Sequence, residues 1–261
     1  YEISECLVGS EMCIRDSKTT YQSSDSIVEK SVFAYDTERP YNIISKSSLC
    51  SGGAEQVERT YYSNNTIPDK EFLTTSQRSV IQLLTSRNYL TTPVQQTMEK
   101  KDKRLYSVLR GYSSSLSSGM VVEDQYYCKG TDKYEKRISY NKYDIYGNPV
   151  YINKDGAEKV VYLWGYKGQY LLAEIKGATY EEVKKALMVD PASMSSCILP
   201  SMPLYLDMID NLYKALPSAL ITSYTYHPLI GISGIISPNK AKTTFEYNSD
   251  SQLIRIKDTE G

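Results

Sequence analysis

The stretch Y-D-I-Y-G-N-P-V-Y-I-N-K-D-G-A, residues Tyr143–Ala157, decides the fold class of this chain. Two β-prone runs, Tyr140–Tyr143 and Val150–Ile152, flank a set of turn-forming residues. Gly147 can adopt a positive φ without steric cost, and Asp144 can hydrogen-bond to nearby backbone. The pattern predicts a hairpin with Gly147 in its turn and Val150–Ile152 antiparallel to the preceding strand.

The same spacing occurs again near the end of the sequence. Counted from Tyr143, Gly147 stands at plus four and Ile152 at plus nine. Counted from Tyr247, the positions plus six, nine, eleven and fourteen hold Leu253, Ile256, Asp258 and Gly261. Counted from Tyr226, Ile235 stands at plus nine. Tyr226 and Tyr247 are 21 residues apart (247 − 226), and a period near 20 indicates one supersecondary unit per repeat.

These positions resemble the YD repeat of the RHS family, whose pattern is roughly Y-D-x-x-G-R-L-x-x-I-x-D-x-x-G. One copy matches at Tyr143, Asp144, Gly147 and Ile152, and another at Tyr247, Leu253, Ile256, Asp258 and Gly261. In the second copy, Asn248 and Ser251 replace the aspartate and the glycine. The run Asn153–Leu187 is also similar to a non-repeat insert of RHS-type bacterial proteins. The resemblance covers about Thr92–Gly261.

The resemblance implies a mainly β fold, an antiparallel hairpin or meander sheet of YD-repeat type with a two-helix insertion at about residues 178–216. It also implies an internal fragment of a longer bacterial protein that is extracellular or exposed at the cell surface. The expected partners are other repeats of the same longer chain, together with a C-terminal effector domain or a surface carbohydrate.

The N-terminal residues have a different character. Residues Cys6–Ser17, C-L-V-G-S-E-M-C-I-R-D-S, resemble one reading frame of a transposase-type sequencing adaptor, and the alternative is a genuine polar segment. The segment has neither the basic start nor the apolar run of a signal peptide. We expect residues 1–17 to be disordered and to make no packed contacts.

Composition excludes several classes of function. The 261 residues carry a formal net charge of −1, which gives no electrostatic basis for binding nucleic acid. No stretch of 18 apolar residues is present, so we expect no membrane span. Tyrosine is enriched, with 25 residues against 3 Phe and 1 Trp. A tyrosine ring can pack while its hydroxyl reaches water or a partner, which favours a thin or extended β architecture.

The five cysteines do not suggest a disulfide framework or a zinc site. Cys6 and Cys13 fall in the adaptor-like segment, which leaves Cys50, Cys128 and Cys197 widely spaced. Three cysteines cannot all pair within one chain, and none of them forms C-x-x-C.

Residues 18–92 are predicted to be β-rich but are poorly defined by their pattern. Short β-prone runs occur at Ile27–Ala34, Asn42–Ile44 and Val57–Tyr62, and Gln77–Thr85 could form one or two helical turns. Residues 93–261 are predicted to form the YD-repeat-like sheet. Its first strands, spaced as in a β-meander, are expected at Val94–Glu99, Leu105–Tyr112, Met120–Tyr127, Glu135–Tyr143 and Lys159–Tyr166.

Two helices are expected to interrupt this sheet. Thr179 and Glu182 form a capping box, and Pro203–Leu216 carries a helical stripe. Between them, Asp190–Ser201 is predicted to be a polar loop. The helices should pack together or on one sheet face through Tyr180, Val183, Leu187, Met208, Ile209 and Leu212, and Tyr205 also belongs to the stripe of the second helix. Strands are expected to resume at Ala219–Tyr226, Ile230–Ile236, Lys242–Tyr247 and Leu253–Lys257.

The sequence contains no catalytic constellation. His227 is the only histidine, which excludes H-E-x-x-H and any multi-histidine metal site. Asp207 and Asp210 share a helix face, where we interpret them as solvated charges rather than a carboxylate pair. The run Glu99–Arg104 mixes both charges and predicts a solvated hairpin tip. We therefore expect no catalytic residue, no cofactor and no metal.

Two functional classes remain. The first is a non-enzymatic structural scaffold, part of the β-shell or surface region that the RHS resemblance implies. The alternative is a carbohydrate-binding or cell-surface-binding β module that uses its tyrosine-rich strands, because tyrosine faces stack well on sugars. A glycan-binding screen would distinguish the two.

Overall fold

The computed structural model describes residues 13–22, 25–49, 53–115, 119–196 and 202–258. The chain divides into two compact units. The first consists of Tyr1–Ser113 with Val122–Arg137, and the second of Ser114–Val121 with Ile138–Gly261.

Strands dominate the described residues, and their order in the sheet is their order in the chain. The first seven are β1 Cys13–Gln22, β2 Asp25–Tyr35, β3 Ile43–Leu49, β4 Glu55–Tyr62, β5 Pro93–Lys100, β6 Lys103–Ser115 and β7 Gly119–Lys129. The others are β8 Glu135–Tyr143, β9 Pro149–Lys154, β10 Glu158–Gly165, β11 Tyr170–Lys176, β12 Leu220–His227, β13 Gly231–Ile236, β14 Lys242–Tyr247 and β15 Leu253–Lys257. The mainly β, antiparallel meander predicted from the sequence is confirmed.

The N-terminal segment is more regular than expected. Strand β1 begins at Cys13 and pairs with β2 in a single register, from Cys13 opposite Ala34 to Gln22 opposite Asp25. Residues 13–17 thus lie in a paired strand where disorder was expected, and antiparallel pairing satisfies backbone N–H and C=O groups whatever the side chains are. Residues 1–12 lie outside the described part of the chain.

Residues 18–92 contain well-formed elements despite their weak pattern. Helix α1, Thr75–Ser86, starts with a capping box between Thr74 and Gln77. It buries one apolar stripe of Val80, Ile81 and Leu84. Strand β3 has the sequence I-I-S-K-S-S-L, in which serines obscure the alternation of a strand. The pairing of β3 with both β2 and β4 supplies the backbone partners that the sequence pattern could not indicate.

The second unit has an apolar core between its sheet and two helices. Helix α2, Tyr180–Leu187, begins with the predicted capping box of Thr179 and Glu182, and helix α3 is Met202–Ala215. Val183, Ile209 and Leu212 are buried against strands β10, β11 and β12. The predicted packing of the two helices is confirmed for these residues, with Leu187 and Met208 partly buried at the edge. The side chain of Tyr205 lies outside the described part.

Three details differ from the sequence predictions. The expected loop Asp190–Ser201 contains a 3-10 helix at Pro191–Ser196, because Asp190 Oδ1 accepts the N–H of Ala192 and caps that turn. Strand β11 was not predicted, since its apolar run is too short to separate strand from helix. Strands β6 and β7 both extend past their predicted ends at Tyr112 and Met120, since β6 runs to Ser115 and β7 begins at Gly119, and residues 116–118 lie outside the described part.

Candidate functional site

Asp144 organises the turn between β8 and β9. Its side chain is buried, at 2% exposure, and Oδ1 accepts the backbone N–H groups of Tyr146 (2.9 Å) and Asn148 (2.8 Å). Oδ2 accepts the side-chain amide of Asn148 at 3.0 Å. Gly147 has a φ of +85°, in the left-handed region that favours glycine. Strand β9 pairs antiparallel with β8, as the hairpin prediction requires.

The same turn is built at Asn248 from different residues. Asn248 Oδ1 accepts the N–H groups of Asp250 (3.0 Å) and Gln252 (2.9 Å), two and four residues later, as Asp144 does. Ser251 takes the place of the glycine with a φ of +61°. The two departures from the repeat pattern therefore preserve the turn geometry, because asparagine supplies the same acceptor oxygen as aspartate.

The copy at Tyr226 has a different turn. His227 accepts the N–H of Ile230 through its carbonyl, and Leu229 between them has a φ of +68°. Ile235 lies in β13 opposite Tyr224, not opposite Tyr226. Two further predicted motif positions lie at the chain's end: Asp258 follows β15 and is exposed, and Gly261 lies outside the described part.

The tyrosines of the repeat share a second feature, which recurs in both units. In five antiparallel pairs of consecutive strands, an aromatic side chain near the end of the second strand donates a hydrogen bond to a backbone carbonyl near the start of the first. We call this arrangement an aromatic clasp. The donors and acceptors are Tyr62 to Ile43 (3.0 Å), Tyr112 to Pro93 (2.7 Å), Trp164 to Pro149 (2.8 Å), Tyr226 to Leu171 (2.8 Å) and Tyr247 to Ile232 (2.9 Å).

All five clasps have the same register. The last regular strand pairs before them are Ser45–Arg59, Gln95–Leu109, Tyr151–Val161, Ala173–Ser223 and Gly234–Thr244. In the first of them, the donor Tyr62 lies three residues after Arg59 (62 − 59), and the acceptor Ile43 lies two residues before Ser45 (45 − 43). The other four clasps have the same two offsets from their last regular pair. The clasp thus connects the two strands beyond their last regular pair, where the backbone ladder between them has ended.

A β-bulge accompanies the aromatic residues on their other side. At six positions an aromatic residue near the end of one strand pairs with a residue of the next strand, and the register skips one residue of that next strand. The six pairs formed across such a bulge are Tyr35–Ile43, Tyr62–Pro93, Tyr143–Pro149, Trp164–Leu171, Tyr226–Ile232 and Tyr247–Leu253. Tyr62, Trp164, Tyr226 and Tyr247 therefore each contact two neighbouring strands, one through pairing and one through the clasp.

One further copy of the repeat was not predicted, although its pattern is present in the sequence. Tyr35 and Asp36 form a YD pair, with Phe33 two residues earlier and Ile44 at plus nine. Asp36 Oδ1 accepts the N–H groups of Glu38 (2.9 Å) and Arg39 (3.2 Å), as expected for a turn-forming aspartate. A search for an aromatic residue at minus two and isoleucine at plus nine would have found it.

Burial raises the pKa of two clasp tyrosines, Tyr62 and Tyr226. Removal from water raises the pKa of Tyr226 from 10.0 to about 12, and the neighbouring Tyr224 and Tyr170 act in the same direction. The Tyr170 ring also packs against the Tyr226 ring in a tilted arrangement, with centroids 4.6 Å apart.

This shift predicts a pH dependence of stability. Between pH 10 and about 12 the unfolded chain loses this tyrosine proton while the folded chain keeps it, so stability falls as pH rises through that window. Because Tyr226→Phe removes the group, its loss of stability between pH 10 and 12 should be smaller than that of the wild type. Urea unfolding at several pH values measures this, and parallel curves for the two proteins would contradict the assignment.

A partly buried polar network lies in the first unit. Asp69 Oδ2 accepts hydrogen bonds from Tyr134 (2.8 Å) and Arg104 (2.9 Å). Burial raises the pKa of Tyr134, which keeps its hydroxyl protonated as a donor. The charged run was predicted to be a solvated hairpin tip, and Lys101 and Asp102 do form a two-residue turn with positive φ at both positions. The prediction is wrong for Arg104, which is drawn into the network by Asp69.

His227, Asp207 and Asp210, the residues weighed as catalytic candidates, are all exposed. His227 is exposed at the end of β12, with its ring 6.4 Å from that of Tyr247. Asp207 and Asp210 are both exposed on α3. Within the described ranges, no group of three or more His, Cys, Asp or Glu side chains could hold a metal ion. No helix in this part of the chain is long and apolar enough to cross a membrane.

Comparison with known proteins gives only structural likenesses. No protein-family profile and no curated protein matches the chain. The crystal structure of TcdB2-TccC3 is similar, with 11% identity and a TM-score of 0.36 over 93% of this chain and 13% of that chain. The Tc holotoxin pore of Photorhabdus luminescens is 11% identical, with a TM-score of 0.35 over 88% of this chain. This chain spans 12–13% of the length of those solved chains.

Proposed function

We propose that this chain is a non-enzymatic structural scaffold, a stretch of β-wall in a larger bacterial protein of RHS/YD-repeat type, located outside the cell or at its surface. The observation that carries the proposal is the aromatic clasp, which recurs in five antiparallel strand pairs with one register. A device repeated in both units of the described chain suits the cohesion of the sheet, whereas a catalytic or binding site is typically built once.

The chemistry of the clasp suits a wall that must continue through variable sequence. Its acceptor is a backbone carbonyl, which every residue type provides, so only the donor has to be specified. Trp164 replaces tyrosine in one clasp and donates through its indole nitrogen with the same register. The device therefore requires an aromatic N–H or O–H donor rather than one particular residue.

The clasps also explain how the sheet accommodates helices. Helix α1 lies between the clasp residues Tyr62 and Tyr112, and helices α2 and α3 lie between Trp164 and Tyr226. The strands before and after each insertion remain neighbours in the sheet. In these five strand pairs the clasp would help to hold the register of the sheet on either side of a long insertion.

The hydroxyls of the clasp tyrosines donate hydrogen bonds to backbone carbonyls of the sheet itself. Tyr112 is buried, and Tyr62, Tyr226 and Tyr247 are partly buried. A carbohydrate-binding role, the alternative suggested by the tyrosine content, would have to use other rings, such as the exposed Tyr41 or Tyr89. The clasp geometry therefore supports the scaffold over the binding module.

Replacing a clasp tyrosine should destabilise the fold without changing its shape. Each of Tyr62→Phe, Tyr226→Phe and Tyr247→Phe removes one hydroxyl, and we expect the free energy of unfolding to fall by about 0.5–1.5 kcal/mol per variant. Chemical denaturation measures the loss, and hydrogen exchange should show it in the two strands that the clasp connects.

The matched control is Tyr41→Phe, at a ring that is 62% exposed, where we expect a change within about 0.5 kcal/mol. Equal effects of the clasp and control variants would contradict the scaffold proposal. A glycan-binding screen on the same proteins completes the test. Sugar binding that disappears in a clasp variant of unchanged stability would favour the carbohydrate-binding alternative.

A further inference from the structure

The strand β15 has an exposed apolar surface. Leu253, Ile254 and Ile256 are 48%, 61% and 58% exposed. Within the described residues β15 is the final strand of the sheet order and pairs with β14. A hydrophobic edge strand is a template for the addition of another strand.

The clasp geometry identifies one carbonyl on this strand. Each clasp acceptor has a second neighbour: on its other side it pairs, across a bulge, with an aromatic residue at the end of the preceding strand. Ile43 pairs with Tyr35 and accepts from Tyr62, and the other acceptors follow the same rule. Tyr247 pairs with Leu253 across a bulge at Ile254. Leu253 therefore holds the position of an acceptor.

We propose that β15 docks an antiparallel strand that carries a tyrosine or tryptophan, whose side chain donates a hydrogen bond to the carbonyl of Leu253. The inference rests on the proposed scaffold function and names the chemistry of its partner segment. The clasp register also fixes the alignment of the docking strand. Its residue three positions before the aromatic donor lies opposite Arg255, and its residue four positions before the donor lies opposite Ile256.

The side chains of β15 restrict the partner further. Arg255 and Lys257 both face one carboxylate, that of Glu246, at 3.6 Å and 2.5 Å. Because two cations share this anion, an acidic residue opposite Arg255 would form a favourable cross-strand pair. A second copy of β15 does not meet the requirement for a donor, since L-I-R-I-K contains no aromatic residue.

The probe is a synthetic peptide of residues 242–248, K-T-T-F-E-Y-N, which form such a strand on β13, with Thr244→Glu to place an acidic residue opposite Arg255. Binding to the full chain is measured by fluorescence anisotropy. A matched peptide with Tyr247→Phe lacks only the hydroxyl, and we expect it to bind about 2- to 12-fold more weakly, the factor that one neutral hydrogen bond contributes.

Disulfide trapping tests the register. The Ile256→Cys chain should cross-link to a peptide with Thr243→Cys, because Ile235 pairs with Thr243 at the equivalent position of β13. Peptides with Lys242→Cys or Thr244→Cys place the thiol on the other face and should not cross-link above the wild-type background.

Three results would overturn the proposal: no binding of either peptide, equal binding of the tyrosine and phenylalanine peptides, or equal cross-linking in all registers. Self-association of the chain through β15, detected by sedimentation and abolished by Ile256→Lys, would also overturn it. Failure of the scaffold proposal is distinguishable, since it would appear as unchanged stability of the clasp variants without any peptide present.

Discussion

The Leu212→Ala variant is expected to lose about 2–5 kcal/mol of unfolding free energy, the usual cost of removing a buried leucine from a core. Leu212 lies on α3, is 0% exposed, and belongs to the apolar cluster between the helices and the sheet. Ile209 on the same helix and Val183 on α2 complete the contact surface. Truncation leaves a cavity that these neighbours can fill only by moving both helices.

Denaturation of the full chain, followed by near-UV and far-UV circular dichroism, measures the loss. Leu229→Ala is the control, because Leu229 is 95% exposed in a turn of the same unit, and its truncation should change stability by less than about 0.5 kcal/mol. A loss at Leu212 as small as that at Leu229 would show that the helices do not pack on the sheet through this stripe.

The helices could be predicted because their signals are local. Thr179 and Glu182 form the capping box that the sequence indicated, and the stripe on α3 buries Ile209 and Leu212. A helix positions its own side chains with a period of 3.6 residues, so one sequence window contains the information. The turn at Asp144 was predictable for the same reason, since its donors and acceptor lie within five residues.

The clasps could not be predicted because their contacts depend on strand register. The donor and acceptor are 19 residues apart for Tyr62 and Ile43 but 55 apart for Tyr226 and Leu171, since helices α2 and α3 intervene. A search for a constant period therefore misses most copies. Trp164 escapes any pattern that requires tyrosine.

The hydrogen-bond partners of buried polar side chains could not be predicted from the sequence either. Gln77 was expected only as part of a helical turn, but it caps α1 and also donates through Nε2 to Glu123 (2.9 Å) and Asp124 (3.1 Å). Gly111 makes room for this amide, because a Cβ there would lie 2.4 Å from Gln77 Cδ. Such a network joins residues that are distant in the chain, and nothing in either segment indicates the other.

The structure changes the expected order of effects within the hairpin turn. From the sequence, Asp144→Ala would lose one local hydrogen bond at about 1 kcal/mol, and Gly147→Val would cost more, at roughly 1–3 kcal/mol, by placing a β-branched residue at positive φ. The carboxylate instead accepts three N–H groups from a buried position. Its removal leaves those donors without their acceptor, and hydrogen bonds to a charged group are stronger than neutral ones.

Asp144→Ala is therefore expected to cost about 2–4 kcal/mol, at least as much as Gly147→Val. Asn248→Ala is the matched control, because it removes the same two backbone contacts from an uncharged side chain at a more exposed turn, and it should cost about 1 kcal/mol. Asp144→Asn should recover part of the loss, since the amide oxygen can still accept from Tyr146 and Asn148. Urea unfolding of the four variants gives the order directly. If Asp144→Ala left stability unchanged but removed a hydrolytic or ligand-binding activity, Asp144 would be a functional group rather than a turn former, and the scaffold proposal would fail.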